Sequence, residues 1–169
     1  FTNNMQDKTE PVISSAKIKP YTKITWYPDF KRFNMDGLND DIKSLMCKRV
    51  YDIAGVTDKD TKIYLNEELV QVKTFEKYAD MYIGDKTETT RVFEEGVGWQ
   101  VLATCSDDDI FQQVSFVNGI NTSRGGTHTD YISDQIKTKL AEFLKKKKKI
   151  DIKPSNINLH ASIKKIGIY

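Results

Sequence analysis

The chain has 169 residues, of which 38% are hydrophobic and 30% charged, and its formal net charge is +2. This composition is typical of a soluble globular protein and excludes a largely disordered chain. No apolar run approaches the ~18 residues that a membrane-spanning helix requires, so we expect no membrane partner. The first residue is Phe1 rather than Met, and we therefore expect a fragment of a longer polypeptide.

The two cysteines, Cys47 and Cys105, lie far apart in the sequence and lack the spacing of a metal site. A structural zinc ion requires about four ligands, and only His128 and His160 could add imidazoles to the two thiols. We therefore expect free thiols in a reducing compartment and no metal site.

The start of the chain predicts an irregular segment, a strand and then a helix. Residues 1–20 are polar and irregular, whereas "YTKITWYP" (21–28) alternates polar and apolar residues as a strand does. Within that strand we expect Trp26 to lie in the core. Apolar residues then recur at helical spacing over 38–55, which predicts an amphipathic helix with Asp36 as its N-cap.

The middle of the chain predicts a hairpin, a short helix and a linker. The pattern over 61–72 indicates two strands that turn near Asn66 and Glu67, and residues 74–83 have the pattern of a short helix. Residues 84–90, "GDKTETT", contain no apolar side chain, so this segment is the best candidate for a domain linker.

Beyond this segment, the pattern predicts three strands. Residues 91–106 indicate two strands around a turn at Gly96-Val97-Gly98, with Trp99 in the core. Residues 111–120 predict the third strand. The acidic triplet Asp107–Asp109 lies between them, and a solvated turn is favoured over a magnesium site because consecutive carboxylates do not converge on one point.

Two glycines precede the next predicted helix, and they allow two interpretations. Gly125 and Gly126 could cradle a phosphate with free backbone N–H groups, or they could form an ordinary turn and helix cap. Thr127 and Asp130 resemble a capping box, which favours the turn, and His128 lies at the helix start without a neighbouring nucleophile. Neither a Walker loop nor a dinucleotide fingerprint is present.

The helix itself predicts one apolar face, followed by five consecutive lysines. The apolar face consists of Ile132, Ile136, Leu140, Phe143 and Leu144. Lys145–Lys149 either form a solvated helix end that favours the helix dipole or contact the phosphate backbone of duplex DNA. The residues alone leave both interpretations open.

Several ordered strings closely resemble eukaryotic type IIA DNA topoisomerases. The similarity covers roughly residues 1–154 in the same order, which is too long for coincidence. The strings are "FTNNM" (1–5), "YTKITWYPDFKRFNMDGLNDDI" (21–42), "KRVYDIAG" (48–55), "KIYLNEELV" (62–70), "FQQVSFVNGINTSRGGTH" (111–128), "DYISDQI" (130–136) and the lysine run.

The resemblance implies an α+β fold with two domains. Residues 1–83 would be the C-terminal part of a GHKL-type ATPase α/β sandwich, and 84–90 would be the linker. Residues 91–169 would begin a transducer domain with a left-handed βαβ fold like that of a ribosomal protein domain. The tail, 155–169, shows little of the hydrophobic strand that follows in that family, so it is a divergent tail, a truncated chain or the product of a shifted reading frame. A shifted frame would leave one sheet edge unpaired.

The resemblance also implies a function. The parent enzyme would use ATP and Mg²⁺, bound mostly outside this chain, to pass one DNA duplex through a double-strand break. It would be a homodimer through its ATPase region, located in the nucleus, with an organellar form as the alternative. This fragment would relay the ATP state and have no catalytic residue of its own.

Individual residues acquire roles from the same resemblance. Lys145, Lys146 and Lys147 match the lysine loop that contacts DNA in the family, and Gly125–His128 match a turn and helix cap of the transducer. The alternative is a stand-alone, non-catalytic DNA-binding or interaction module derived from such an enzyme.

Overall fold

The computed structural model describes residues 1–106 and 110–165, so the acidic triplet Asp107–Asp109 lies outside the described residues. The chain divides into two compact units, residues 1–43 and residues from 44 onward. As predicted, the fold is α+β. Its helices are α1 Asp40–Val56, α2 Phe75–Ile83 and α3 Thr127–Phe143, and its strands are β1 Tyr64–Leu65, β2 Glu68–Leu69, β3 Arg91–Gly96, β4 Trp99–Cys105, β5 Gln112–Val117, β6 Ile120–Asn121 and β7 Leu159–Lys165.

The first unit is mostly irregular. Residues 21–28 form no regular element, and Trp26 is 61% exposed, so both the predicted strand and the predicted core position are wrong. An extended segment becomes a strand only when a neighbour accepts and donates its backbone hydrogen bonds. No described residue supplies such a neighbour for 21–28.

Helix α1 begins a few residues later than its predicted cap. The Oδ1 atom of Asn39 accepts a hydrogen bond from the Ile42 N–H at 2.9 Å, so Asn39 and not Asp36 caps the helix. The buried residues of α1 are Asp52, Ala54 and Gly55. Part of the predicted apolar face therefore lies in solvent, as Leu45 shows.

A two-residue turn connects the two strands of each hairpin. Asn66 and Glu67 both have positive φ between β1 and β2, and β3 pairs with β4 across a turn after Gly96, which confirms both predicted hairpins. The third predicted strand is too long, because Asn118 and Gly119 have φ of 51° and 77° and reverse the chain into β6. Positive φ at both positions is typical of a tight hairpin turn.

The tail of the chain supplies the central strand of the larger sheet. The strand order is β3-β4-β7-β5-β6, with β7 antiparallel to β4 and parallel to β5. The atypical tail therefore forms a strand, and the expectation of a missing strand and an unpaired sheet edge, which a shifted reading frame would bring, is wrong. The strand was missed because His160, Ser162 and Lys164 interrupt its apolar pattern, although all three are buried.

The sheet has a hydrophobic cluster against α2 and another beneath α3. Phe75, Tyr78, Val114 and Phe116 form the first, and Ala141, Ile157 and Leu159 form the second. The predicted apolar face of α3 is correct for Ile136 and Leu140, which pack against the second cluster, but Phe143 is exposed.

Arg91 connects the two ends of the segment 84–90 to each other and to α2. Arg91 forms an ion pair with Asp80 of α2, and its Nη2 atom donates a hydrogen bond to the Gly84 carbonyl oxygen at 2.7 Å. The domain boundary that the sequence predicts in 84–90 stays a prediction. Within the described ranges, no helix combines the length and the apolar character needed to cross a membrane.

Candidate functional site

The glycine turn before α3 adopts conformations that favour glycine. Gly125 and Gly126 have φ of 72° and 145°, and Gly126 occupies the N-cap position. Its carbonyl oxygen accepts hydrogen bonds from the N–H groups of Thr129 and Asp130 at 2.9 and 3.1 Å. The predicted capping box is wrong, because Thr127 is already the first helical residue and no side chain caps the helix.

The side chains beside this turn bond to one another. The Oγ1 atom of Thr122 lies 3.1 Å from His128 Nε2 and 2.5 Å from Ser115 Oγ, and Thr129 Oγ1 donates a hydrogen bond to Ser115 Oγ at 3.4 Å. Burial lowers the pKa of His128, and the positive charge of Lys165 lowers it further. A neutral imidazole therefore helps to hold the turn against β5.

The lysine run continues directly from the end of α3 as a further helical turn. Residues Leu144–Lys148 form a π-helical turn, and Lys149 ends it with a φ of 56°. The carbonyl oxygen of Leu144 accepts hydrogen bonds from the N–H groups of Lys149 and Ile150. The lysines thus project from a hydrogen-bonded backbone at the end of α3.

All five lysine side chains are exposed. The Lys145 Nζ atom lies 3.2 Å from Asp151 Oδ1, with both side chains largely in solvent. Lys146–Lys149 make no ion pair with any residue that the structure describes. Four ammonium groups are therefore available to a polyanion, and one is partly neutralised.

The structure separates the two features that the sequence singled out. The glycine turn and the lysine run lie at opposite ends of α3, whose 17 residues span about 25 Å at the usual rise of an α-helix. They cannot bind the same small anion.

A polar cavity of about 360 Å³ lies at the N-terminus of α2 and was not predicted from the sequence. We call it the α2 cavity, and its charged lining residues are Asp58, Lys59, Lys73, Glu76, Glu95 and Lys164. Lys164 is only 8% exposed. No sequence signal marked Lys164, because β7 itself was not predicted.

A second missed feature is a chain of polar side chains that joins α1, α2 and β7. Lys48 Nζ donates to the buried carboxylate of Asp52 at 2.9 Å, and Tyr78 Oη donates to the same carboxylate at 2.6 Å. The hydroxyl groups of Tyr78 and Tyr82 lie 2.7 Å apart, and the Tyr82 ring packs against the ring of His160. This polar chain is a physical connection between α1 and the central strand.

Comparison with known proteins reveals the family. Residues 58–164 match the family described as DNA gyrase B. The chain is 44% identical over 168 residues to "Probable DNA topoisomerase 2" of Dictyostelium discoideum and 43% identical over 168 residues to "DNA topoisomerase 2-alpha" of Gallus gallus. These alignments cover 96% and 95% of this chain but 11% of each relative, so the chain spans about a tenth of their length.

Solved structures agree with this relationship. The crystal structure of the ATPase region of Saccharomyces cerevisiae topoisomerase II superposes with a TM-score of 0.70 at 38% identity, covering 82% of this chain and 35% of that one. The structure of the ATPase and transducer domains of DNA topoisomerase II from Balamuthia mandrillaris superposes with a TM-score of 0.70 at 33% identity, with the same coverage. The chain therefore belongs to the DNA gyrase B family and is similar to the eukaryotic topoisomerase 2 proteins.

Proposed function

We propose that this chain is part of an ATP-dependent type II DNA topoisomerase, which passes one duplex through a transient double-strand break. The family match and the names of the relatives support this. Residues 1–83 would end the ATPase domain, 84–90 would link the domains, and 91–169 would begin the transducer. In that transducer the crossover from β5 through α3 to β7 would be left-handed.

The proposed DNA contact consists of Lys145, Lys146 and Lys147. The observation that carries it is the exposure of the whole lysine run on a hydrogen-bonded turn, with Lys146 and Lys147 unpaired among the described residues. Lysines that displace condensed counterions bind the duplex backbone without reading its sequence. No base contact is needed for this role.

The proposed relay of the ATP state uses the polar chain between α1 and β7. Lys48 and Asp52 lie in the segment that we assign to the ATPase domain, whereas His160 lies in the segment that we assign to the transducer. A change in the position of α1 would be transmitted through Tyr78 and Tyr82, because their hydroxyl groups share a hydrogen bond.

The remaining partners follow from the same proposal. ATP and Mg²⁺ would be the cofactors, a second copy would bind through the ATPase region, and the location would be nuclear. Among the described residues, no cluster of three or more His, Cys, Asp or Glu side chains could hold a metal ion.

The test of the DNA contact is the salt dependence of duplex binding by the 169-residue chain. Replacement of Lys145, Lys146 and Lys147 by alanine should weaken binding and reduce the slope of log K against log salt by about 2.7, which is ~0.9 for each lost phosphate contact. Fluorescence anisotropy with a labelled duplex measures this slope.

The matched control replaces three other exposed lysines, Lys8, Lys17 and Lys19, by alanine. These replacements change the net charge by the same amount. Its slope should remain close to that of the parent chain. Equal slopes for both triple variants would reject the lysine run as the contact. In the longer protein, the same three replacements in the lysine run should reduce the stimulation of ATP hydrolysis by DNA, whereas a stand-alone binding module would have no hydrolysis to stimulate.

A further inference from the structure

The segment 84–90, which we call the connector, is held in a turn by hydrogen bonds of its own. The N–H groups of Glu88 and Thr89 donate to the Asp85 carbonyl oxygen at 3.0 and 3.1 Å. The hydroxyl group of Thr89 donates to the carbonyl oxygen of Ile83, the last residue of α2, at 2.7 Å. A flexible linker would leave such groups to water, so the connector is an ordered turn.

Arg91 bonds to α2 and to both ends of the connector with one side chain. Its Nη1 atom forms the ion pair with Asp80 of α2, and its Nη2 atom donates to the Gly84 carbonyl oxygen at 2.7 Å. Its Nε atom donates a longer bond, of 3.5 Å, to the Thr89 carbonyl oxygen. The side chain is only 2% exposed. Because a guanidinium group holds its donors in a fixed plane, these three bonds fix the acceptors relative to one another.

Both neighbours of the connector are fixed to the five-stranded sheet. The Tyr78 ring of α2 packs edge-on against the Phe116 ring of β5, with 5.6 Å between their centroids. At the other end, Thr104 Oγ1 of β4 donates a hydrogen bond to the Thr90 carbonyl oxygen at 2.7 Å. The compact unit from residue 44 onward accordingly contains the connector and the elements on both sides of it.

The other ion pairs around the connector are exposed. Lys77 Nζ lies 2.9 Å from Asp80 Oδ2 and 3.6 Å from Asp85 Oδ2, and Lys86 Nζ lies 3.6 Å from Glu76 Oε1. Both lysine side chains are largely in solvent. Exposed pairs contribute little to stability and are screened by salt, so the buried guanidinium group is the stronger tie.

We infer that Arg91 acts as a latch that keeps the connector rigid, so that α2 moves together with the sheet. The inference deepens the proposed relay of the ATP state, and it rests on the proposed function for the assignment of α2 and the sheet to two domains. The connector is then a rigid joint and not a hinge, although its sequence is that of a flexible linker.

The test is limited digestion of the 169-residue chain with trypsin, followed by mass spectrometry. Trypsin cleaves after Lys86, and cleavage within an ordered turn measures how often that turn opens. Arg91→Gln should accelerate this cleavage about tenfold or more, because the charge-assisted bonds to Asp80 and Gly84 are lost. Lys77→Gln is the matched control, since it removes the exposed partner of the same Asp80 carboxylate and should change the rate by less than about threefold.

Hydrogen exchange separates opening of the connector from unfolding of the whole unit. In Arg91→Gln, the amides of Glu88 and Thr89 should exchange faster than in the parent chain, whereas the amides of β7 should remain far slower than those of the connector. The carboxylate of Asp80 keeps Lys77 as its partner in this variant, so no unpaired buried charge is left.

Arg91→Lys tests the latch if Arg91→Gln fails to fold. An ammonium group retains the charge beside Asp80 but lacks the planar fork that also bonds to the Gly84 carbonyl oxygen, so cleavage after Lys86 should be faster than in the parent chain.

Three results would each overturn the latch. The first is equal cleavage after Lys86 in Arg91→Gln and Lys77→Gln, and the second is parent-like cleavage in Arg91→Lys. The third is loss of exchange protection in β7 together with the connector, which would mean that Arg91 holds the whole fold. None of these measurements involves ATP or DNA, so the latch and the topoisomerase assignment fail independently.

Discussion

Tyr78 of α2 donates its phenolic O–H to the carboxylate of Asp52 in α1 at 2.6 Å, and both residues are buried. Burial raises the pKa of Tyr78 far above its usual value, and the bond to Asp52 raises it further, so the phenol stays protonated and remains a donor. The second donor to Asp52 is Lys48, whose side chain is partly exposed. The buried carboxylate of Asp52 therefore accepts hydrogen bonds from its own helix and from α2.

Tyr78→Phe should destabilise the fold by about 1–3 kcal/mol, because Asp52 stays buried but loses one of its donors. Urea unfolding of the parent chain and the variant measures the difference. Tyr82→Phe is the control, since Tyr82 is more exposed and its loss leaves both donors of Asp52 in place. A Tyr78→Phe variant no less stable than Tyr82→Phe would show that Asp52 does not require the phenol.

Gly55 is expected to tolerate no side chain. A Cβ atom at this position would lie 2.5 Å from Cγ and 2.6 Å from Cβ of Tyr78, which is fully buried. Gly55→Ala should therefore destabilise the chain by about 1–3 kcal/mol, since neither α1 nor the ring can move freely.

Gly96→Ala provides the comparison for Gly55→Ala, because a Cβ atom at Gly96 would meet no atom within 4 Å. Thermal unfolding monitored by circular dichroism should show a clear loss for Gly55→Ala and little change for Gly96→Ala. Similar melting temperatures for the two variants would contradict the close approach of α1 to Tyr78.

His160 should make the stability depend on pH. Burial lowers the pKa of His160 below the value of about 6.5 in the unfolded chain, so the unfolded state binds more protons in the interval between the two values. Stability is then full above pH ~6.5 and falls as the pH decreases, by at most about 1.4 kcal/mol per pH unit for one group.

His160→Gln removes this titration and retains groups that can bond to Gln112 and Ser162, the present partners of the imidazole. Urea unfolding at pH 7.5 and pH 5.5 should show a smaller loss of stability in the variant than in the parent chain. Parallel losses in both proteins would mean that His160 does not titrate between its folded and unfolded values in this range.

The sequence predicted the local structure where the signal itself is local. The turn at Asn66-Glu67 and the hairpin after Gly96 are correct because turn residues determine these reversals within a few positions. Asn118-Gly119 is also a typical turn sequence, but the apolar residues on either side of it favour one long strand.

Two larger errors concern residues whose surroundings come from distant parts of the chain. Trp26 has a strand-like pattern, yet no described residue pairs with its segment. Conversely, β7 contains buried polar residues, and it becomes a strand because β4 and β5 bond to it from both sides. Long-range pairing decides both cases, and a single sequence does not show it.

The candidate sites divide in the same way. The lysine run was visible because five consecutive lysines need no tertiary structure to be noticed. The α2 cavity combines residues from the loop after α1, the start of α2 and three strands. Lys164 lines it because β7 lies between β4 and β5, which the sequence pattern did not predict.

Asp151 should restrain DNA binding if the lysine run is the contact. Its carboxylate lies 3.2 Å from Lys145 Nζ and adds a negative charge beside the five lysines, with both side chains exposed. Asp151→Asn frees Lys145 and removes a charge that repels phosphate, so duplex binding should tighten by up to about fivefold at low salt.

Glu142→Gln is the matched control, because it removes the same charge from the pair with Lys139, one turn before the run. Anisotropy titrations at two salt concentrations should show that the gain from Asp151→Asn shrinks as salt increases and disappears when Lys145, Lys146 and Lys147 are also replaced by alanine. A gain that survives those replacements would place the DNA contact elsewhere on the chain.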